Sequence, residues 1–359
     1  MDTPLFTEEV IAVIWDFDET LIPGNMQKPL FEKYQIVEKD FWDEVDALPD
    51  TYTKQGIRVS PDTLYLNQIL TYVKKGRFKG LTNEILRELG GRLEFFPGLP
   101  EFFPEVAKVV EQDEELRAHH IEVEHYIVST GLRQMILGTR IAEYVRDVWG
   151  CEFVEELADP DTLPAQKGMP LGPQSAQPSK RGRRRRAGQP VLGQVAYSLD
   201  NTTKTRAVFE INKGTNVDPA IDVNASIKHE DRRVPFHNMI YIADGPSDIP
   251  VFSILNQYGG KTFAVYPAGS QDHFAKVYDL QEQGRVQGIG EAKYQHGSQT
   301  YLWITHSVRQ MAKRIVSSRL AARKERVHAP PGHIVQQAEP AAADEDTDDS
   351  ASDMKSASV

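Results

Sequence analysis

Strand-length apolar runs, each closing on polar or charged groups, set the outline of this chain. Val13-Ile14-Trp15 leads into Asp16-Phe17-Asp18-Glu19-Thr20-Leu21, and His125-Tyr126-Ile127-Val128 leads into Ser129-Thr130-Gly131. Met239-Ile240-Tyr241-Ile242-Ala243 leads into Asp244-Gly245-Pro246-Ser247-Asp248. Short apolar runs without polar alternation fit strands buried on both faces. Between the first two, residues 23–96 lack repeated strand signals and read as helical, notably Asp62 to Tyr72 and Thr82 to Leu89. Residues 97–158 and 190–320 alternate helix-like and strand-like runs, as an open parallel sheet wound on both faces does. The expected fold is α/β, with a Rossmann-like parallel sheet formed by residues 8–22 and 97–320 and a mainly helical insertion over 23–96.

Two segments interrupt this pattern. The runs Cys151 to Val154 and Val191 to Tyr197 read as the two strands of a hairpin whose connection, 158–190, is rich in Pro, Gly, Gln and Ser. Its composition predicts a disordered loop. It includes Lys180-Arg181-Gly182-Arg183-Arg184-Arg185-Arg186, six basic residues in seven. No aromatic or structured motif accompanies the Arg181 to Arg186 run, so a solvated loop accounts for it better than a nucleic-acid contact. Residues 329–359, rich in Ala, Ser and acids, read as a disordered acidic tail.

Composition narrows the class further. The chain has 359 residues, 40% of them hydrophobic, enough for a sizeable core and two domains. A formal net charge of −11 argues against general nucleic-acid affinity and for solubility. The single cysteine, Cys151, excludes an internal disulfide and lies in an apolar run, where a buried, inert thiol is expected. Met1-Asp2-Thr3-Pro4-Leu5 lacks a basic start with an apolar segment after it, and no run of 18 apolar residues occurs. A cytoplasmic protein without a membrane partner is the expectation.

The ends of the runs carry the candidate chemistry. Residues two apart on a strand point the same way, so Asp16 and Asp18 crowd one volume where the first run ends. A divalent cation relieves their repulsion, and Mg2+ takes one or two carboxylates together with waters and phosphate oxygens. An aspartate held there is also a nucleophile candidate. Ser129 and the backbone amides beside it suit a phosphate, although such a sequence alone serves equally as a helix cap. Lys204, in Asn201-Thr202-Thr203-Lys204-Thr205-Arg206, falls in the first turn of a short amphipathic helix and offers one positive charge. Its rivals are Lys180 and Lys213, the latter placed like an ordinary helix end before Gly214. Asp244 completes a metal site. Asp248, ahead of Ile249-Pro250, is placed either to support that site or to cap the next helix.

With these residues in order, the chain resembles the haloacid dehalogenase (HAD) superfamily of phosphohydrolases. The DxDxT box corresponds to Asp16 to Thr20, the hydroxyl motif to Ser129, the lysine motif to Lys204, and the acidic motif to Asp244 to Asp248. The roughly hundred residues between the first two motifs resemble the helical C1 cap of phosphoserine-phosphatase-like members, and Phe95 to Phe103 resembles the re-entry from cap to core. The resemblance covers about residues 8 to 280. It implies a Mg2+-dependent phosphatase acting on a small phosphorylated metabolite through an aspartyl-phosphate. Asp16 would be the nucleophile and Asp18 the general acid and then base. Ser129, the Thr130 amide and Lys204 would hold phosphate. Magnesium would be held by the Asp16 carboxylate, the Asp18 carbonyl and Asp244, with Asp248 in support.

The resemblance also has departures. Ile22 to Gln27 lacks the Glu that phosphoserine phosphatases carry near this point for the substrate amine, which argues against phosphoserine. Glu19 stands where a small residue is more common. The aromatic residues Phe41, Trp42, Tyr52, Tyr65 and Tyr72 of the insertion suit core packing, with substrate contact as the other reading. Transfer to an acceptor other than water, action on a phosphoprotein, and a non-catalytic scaffold on the same fold are the alternatives. Retention of both Asp16 and Asp18 counts against the scaffold. Dehalogenation is disfavoured by Asp18, because that chemistry needs neither a leaving-group acid nor a metal.

Overall fold

Six consecutive residues, Val10 to Trp15, are wholly removed from solvent. They belong to β1 (Glu9–Trp15), the central strand of the protein. A computed structural model describes residues 9–157 and 189–326. Among these, β1 is joined by β2 (Ile121–Leu132), β3 (Asp147–Leu157), β4 (Pro190–Tyr197), β5 (Met239–Ala243), β6 (Lys261–Tyr266) and β7 (Gly288–Glu291). The sheet order is β4-β3-β2-β1-β5-β6-β7. All pairings are parallel except β3 with β4. β5 is buried at all five positions, so its unbroken apolar run reports helical cover on both faces.

The chain lays β2 to β4 on one side of β1 and then crosses to build β5 to β7 on the other. The reversal creates a switch point between β1 and β5, beyond whose carboxyl ends open sheets bind ligands. The expected hairpin is present as the antiparallel β3/β4 pair, with Leu157 opposite Pro190. Pro190, expected in the connection, is the first residue of β4. Residues 158–188, with the Arg181 to Arg186 run and Lys180, lie outside the described residues, as does the expected tail 329–359.

Residues 23–96 hold four helices, α1 (Lys28–Tyr34), α2 (Glu38–Thr53), α3 (Pro61–Lys74) and α4 (Asn83–Gly90). No strand falls in this stretch. Their packing is aromatic: Phe31 lies 4.9 Å from Phe41, and Phe41 lies 5.2 Å from Tyr72, centroid to centroid. Phe41 and Tyr72 are therefore core residues, and Tyr52 packs against that core. The remaining helices are α5 (Phe102–Glu111), α6 (Glu114–Arg117), α7 (Arg133–Leu137), α8 (Thr203–Lys213), α9 (Ile249–Gln257), α10 (Gln271–Glu282) and α11 (Gln299–Arg326). The compact unit extends through Ser318; of a second unit, Arg319 to Val359, only the last turns of α11 are described. No helix among the described residues is long and apolar enough to cross a membrane.

One close approach fastens the insertion to the sheet domain. Gly90, at the end of α4, and Gly138, at the end of α7, let the two backbones meet. A Cβ on Gly90 would stand 1.9 Å from the Met135 carbonyl oxygen, and a Cβ on Gly138 would stand 1.9 Å from that of Arg87. Backbone cannot yield as a flexible side chain can. Gly90→Ala and Gly138→Ala should each destabilise the protein by about 1–3 kcal/mol, the usual range for overpacking. Denaturant midpoints check this, with Gly56→Ala, at an open left-handed turn, as a comparison.

Candidate active site

Register places the site. Trp15 is paired with Ile127 on β2 and with Ile242 on β5, and the Asp16 amide donates to the Ile242 carbonyl at 2.9 Å. One residue beyond Trp15 is Asp16, and two residues beyond its partners are Ser129 and Asp244. Three adjacent parallel strands thus deliver their first polar groups beside the switch point. Oxygens of Asp16, Asp244 and Asp248 lie within 4.8 Å of one another.

Lys204 enters this cluster from the first turn of α8, as its sequence position indicated. Its ammonium is 1% exposed and lies 3.1 Å from Asp16 Oδ1 and 2.7 Å from Asp248 Oδ1. The turn carrying it is fixed by Asp200, whose carboxylate accepts from the Thr202 and Thr203 amides at 2.9 and 2.7 Å. Lys213 has a different occupation. It donates to the carbonyls of Val223 and Ala225 at the far end of α8.

Asp248 occupies the cap position of α9, but its side chain makes no capping bond. Its Oδ1 accepts from Lys204 and from the Tyr241 hydroxyl at 2.6 Å, and its Oδ2 accepts from the Ser247 hydroxyl at 2.7 Å. Three donors committed to one carboxylate make Asp248 the anchor of Lys204 first. Asp16 Oδ1 accepts from the Phe17 amide at 2.8 Å. Asp18 accepts from the Met26 amide at 2.9 Å.

Ser129 is buried, and its hydroxyl accepts from the Gly131 amide at 3.0 Å. Met26 packs so tightly there that a Cβ on Gly131 would stand 2.1 Å from its methyl carbon. The Thr130 carbonyl accepts from the Tyr65 hydroxyl of α3 at 2.6 Å, so the insertion holds the end of β2 directly. Cys151 donates to the same carbonyl at 3.2 Å, and burial pushes its thiol above the usual range, as an inert cysteine requires. Beside Asp18 lies a cavity of about 240 Å3 whose lining includes Gln27, Trp42, Asp62, Tyr65 and Thr130. Trp42 and Tyr65, flagged by their type, reach the site. Nothing in the sequence marks Gln27 or Asp62 for chemistry, because no local pattern places a helix start against a strand end.

The donor set fits a divalent cation. Three carboxylates against one ammonium leave two negative charges in a buried volume, and all available ligand atoms are oxygens, as Mg2+ prefers. Without a cation the acids hold protons. Burial, then Asp16, raises Asp18 to about 8. Burial raises Asp16 against the pull of Lys204, with Asp248 and Asp244 pushing the same way, and burial and Asp248 raise Asp244.

No protein-family model matches the chain. It is 37% identical over 305 residues to a protein of Borreliella burgdorferi described as uncharacterized, a match that spans 84% of this chain and 97% of that one. The chain belongs to the same family as that Borreliella protein. Among solved structures, a HAD-family hydrolase of Salmonella enterica serovar Typhi is 13% identical, with a TM-score of 0.43 over 79% of this chain and 67% of the other. A phosphoserine phosphatase, solved as a phospho-aspartyl intermediate analogue, is 12% identical, with a TM-score of 0.38 over 79% and 93%. At such values the functional reading rests on the site itself.

The raised carboxylates make stability depend on pH. Below an ordinary aspartate value of 3.8, folded and unfolded chains are both protonated. From there up to about 8, the folded site keeps protons that the unfolded chain releases, so this contribution is lost as pH rises through the window. Asp244 is raised to about 7, so in EDTA Asp244→Asn should stabilise the fold relative to the parent by on the order of 1–3 kcal/mol near pH 8 and less near pH 5, read as a higher thermal midpoint. Mg2+ should stabilise the parent and not the variant. Equal Mg2+ responses would remove the cation from this cluster.

Proposed function

We propose that the protein is a HAD-type phosphatase that hydrolyses a small phosphomonoester by way of an aspartyl-phosphate on Asp16. The observation carrying this reading is the buried constellation of Asp16, Lys204 and Asp248 at the switch point, with Asp18 facing a cavity beside it. An ion-pair network built for stability alone has no use for a second acid aimed at a cavity.

In this reading, Asp16 Oδ1 stays tied to the Phe17 amide and Lys204, and Oδ2 attacks phosphorus. The bond to the leaving oxygen breaks as Asp18 delivers its proton there. A carboxyl that holds a proton up to about 8 is suited to that task near neutral pH. Asp18, now ionised, takes a proton from water; the water oxygen bonds to phosphorus and Asp16 departs. Lys204, the Ser129 hydroxyl and the Thr130 amide bind the non-bridging oxygens and stabilise their charge. Asp16 and Asp244, with Asp248 in support, and the Asp18 carbonyl would hold Mg2+, which when bound offsets charge on the transferring group. The modest cavity favours a metabolite over a phosphoprotein, and water is the acceptor the reading assigns.

Asp16→Asn should abolish phosphate release from p-nitrophenyl phosphate in Mg2+, and EDTA should do the same to the parent. Substantial activity in the variant would sink the assignment of the nucleophile. Lys204→Met should cost about 10²- to 10³-fold in kcat, the scale for losing one charge-stabilising donor. Lys213→Met, which cuts only carbonyl contacts, should lower stability and leave kcat within about threefold. Equal losses in kcat would move the lysine role.

A further inference from the structure

A second cavity lies at the opposite end of the sheet, where the strands begin. It measures about 470 Å3, within the roughly 300–1,000 Å3 of small-ligand clefts. It is lined by Lys261 at the start of β6, by Gln287 just before β7, and by one face of α11. Its charged and titratable groups are Lys261, His306 and Arg314, and none of its lining residues is acidic. α11 carries no Asp or Glu from Gln299 to Ser318. The Arg314 guanidinium is held in place: its Nη2 donates to the His237 carbonyl and, at 2.8 Å, to Asn238 Oδ1. Both partners are neutral oxygens, and Nε and Nη1 stay uncommitted among the described residues. Burial lowers Arg314 from the ordinary arginine value, and no carboxylate opposes that shift. Lys261 and His306 have no side-chain hydrogen bond or ion pair to any described residue. Trp303 adds a flat wall. Its ring packs against Phe263 with centroids 4.5 Å apart, and a Cβ on Gly288 would stand 2.7 Å from its ring nitrogen.

We propose that this cavity binds an organic phosphate with a flat ring, its phosphate met by Lys261 and Arg314 and its ring resting on Trp303. Two cations gathered without a carboxylate call for an anion. A phosphate monoester carries close to two negative charges at neutral pH and answers both, where a carboxylate answers one. The planar fork of a guanidinium matches phosphate oxygens, and charge-assisted bonds of this kind are the strong ones. Trp303 separates an ester from the inorganic ion, because a ring buries its face against the indole and bare phosphate leaves that face in water. Gln310, also in the lining, has an amide with no partner among the described residues, and it offers a donor and an acceptor to the polar edge of such a ring. A long nucleic acid is a poorer fit than a small ligand, since it would meet the net charge of −11 as well as this one cavity. The cavity stands apart from the Asp16 cluster beyond the carboxyl ends of the strands, and the inference does not rest on the phosphatase reading.

The test is titration calorimetry of the full chain in EDTA with AMP, UMP, phenyl phosphate, adenosine and inorganic phosphate, each to millimolar concentration. At least one of the three esters should bind, adenosine should not, and inorganic phosphate should bind about tenfold or more weakly than the best ester, the loss expected when the ring contact is missing. Lys261→Glu breaks no contact among the described residues and should weaken the best ester by about tenfold or more, the worth of one charge-assisted hydrogen bond. Lys204→Met, at the other end of the sheet, should leave that affinity within about threefold. An ester whose binding is lost in Lys204→Met as fully as in Lys261→Glu, or is unchanged in Lys261→Glu, overturns the cavity as its site. Adenosine binding as tightly as AMP overturns the phosphate contact, and inorganic phosphate binding as tightly as the best ester overturns the ring contact. No binding of any ester overturns the proposal as a whole, and none of these outcomes bears on Asp16 as nucleophile.

Discussion

Everything at this site depends on keeping one ammonium charged inside the protein. Taking an ion out of water costs several kcal/mol even after the protein relaxes, and only well-placed counter-charges repay that cost. Lys204 meets the condition by touching Asp16 and Asp248 at once. Those partners come from β1 and from the turn after β5, so the ion pair forms only when the sheet has closed in register and α8 has docked. The Asp200 cap sets where α8 begins, and therefore where the ammonium lands. The buried charge makes the fold and the site conditional on each other.

The same arrangement divides labour among the acids. Asp248 is saturated by Lys204, Tyr241 and Ser247, which removes it from proton chemistry and makes it a fixed post. Asp16 has one oxygen committed to the Phe17 amide and to Lys204. Asp18, two residues further on, is held by the Met26 amide, and it lines the cavity. Identical side chains beyond the ends of two adjacent strands, β1 and β5, thus have different hydrogen-bond partners. The charge surplus that remains, two carboxylates beyond what Lys204 offsets, is what an oxygen-seeking dication would relieve.

Sequence made the strands and their polar ends legible because buried parallel strands are continuous apolar runs, and β1 and β5 show them without interruption. It also showed Lys204 in a first helical turn and the β3/β4 hairpin around a compositionally odd connection. What it could not show was which face of the helical stretch meets the turn after β1. Asp62 reads in sequence as an ordinary first-turn acid of α3, and Gln27 as a residue before Lys28-Pro29. Their place in the cavity wall arises from the docking of α1 and α3 beside Asp18, a tertiary fact with no local periodicity. Asp248 illustrates the same limit, since a cap and an ion-pair anchor occupy the same sequence position and only the direction of the carboxylate separates them.

Glu19 shows how closely the turn after β1 is specified. It adopts a left-handed backbone, with φ of 55°, between Asp18 and Thr20. That conformation is easy for glycine and costs an ordinary residue roughly 1–2 kcal/mol. The turn is imposed by its surroundings: the Leu21 amide donates to the Phe17 carbonyl at 2.8 Å, and the Tyr294 hydroxyl donates to the Thr20 carbonyl at 2.5 Å. Held this way, the chain reverses just after Asp18, and the Met26 amide comes back to meet its carboxylate. Glu19 adds its own negative charge near Asp18 and Asp244, raising both. Its charge therefore favours a protonated Asp18 and a site that attracts a cation, at the expense of a strained backbone that the surrounding contacts hold in place.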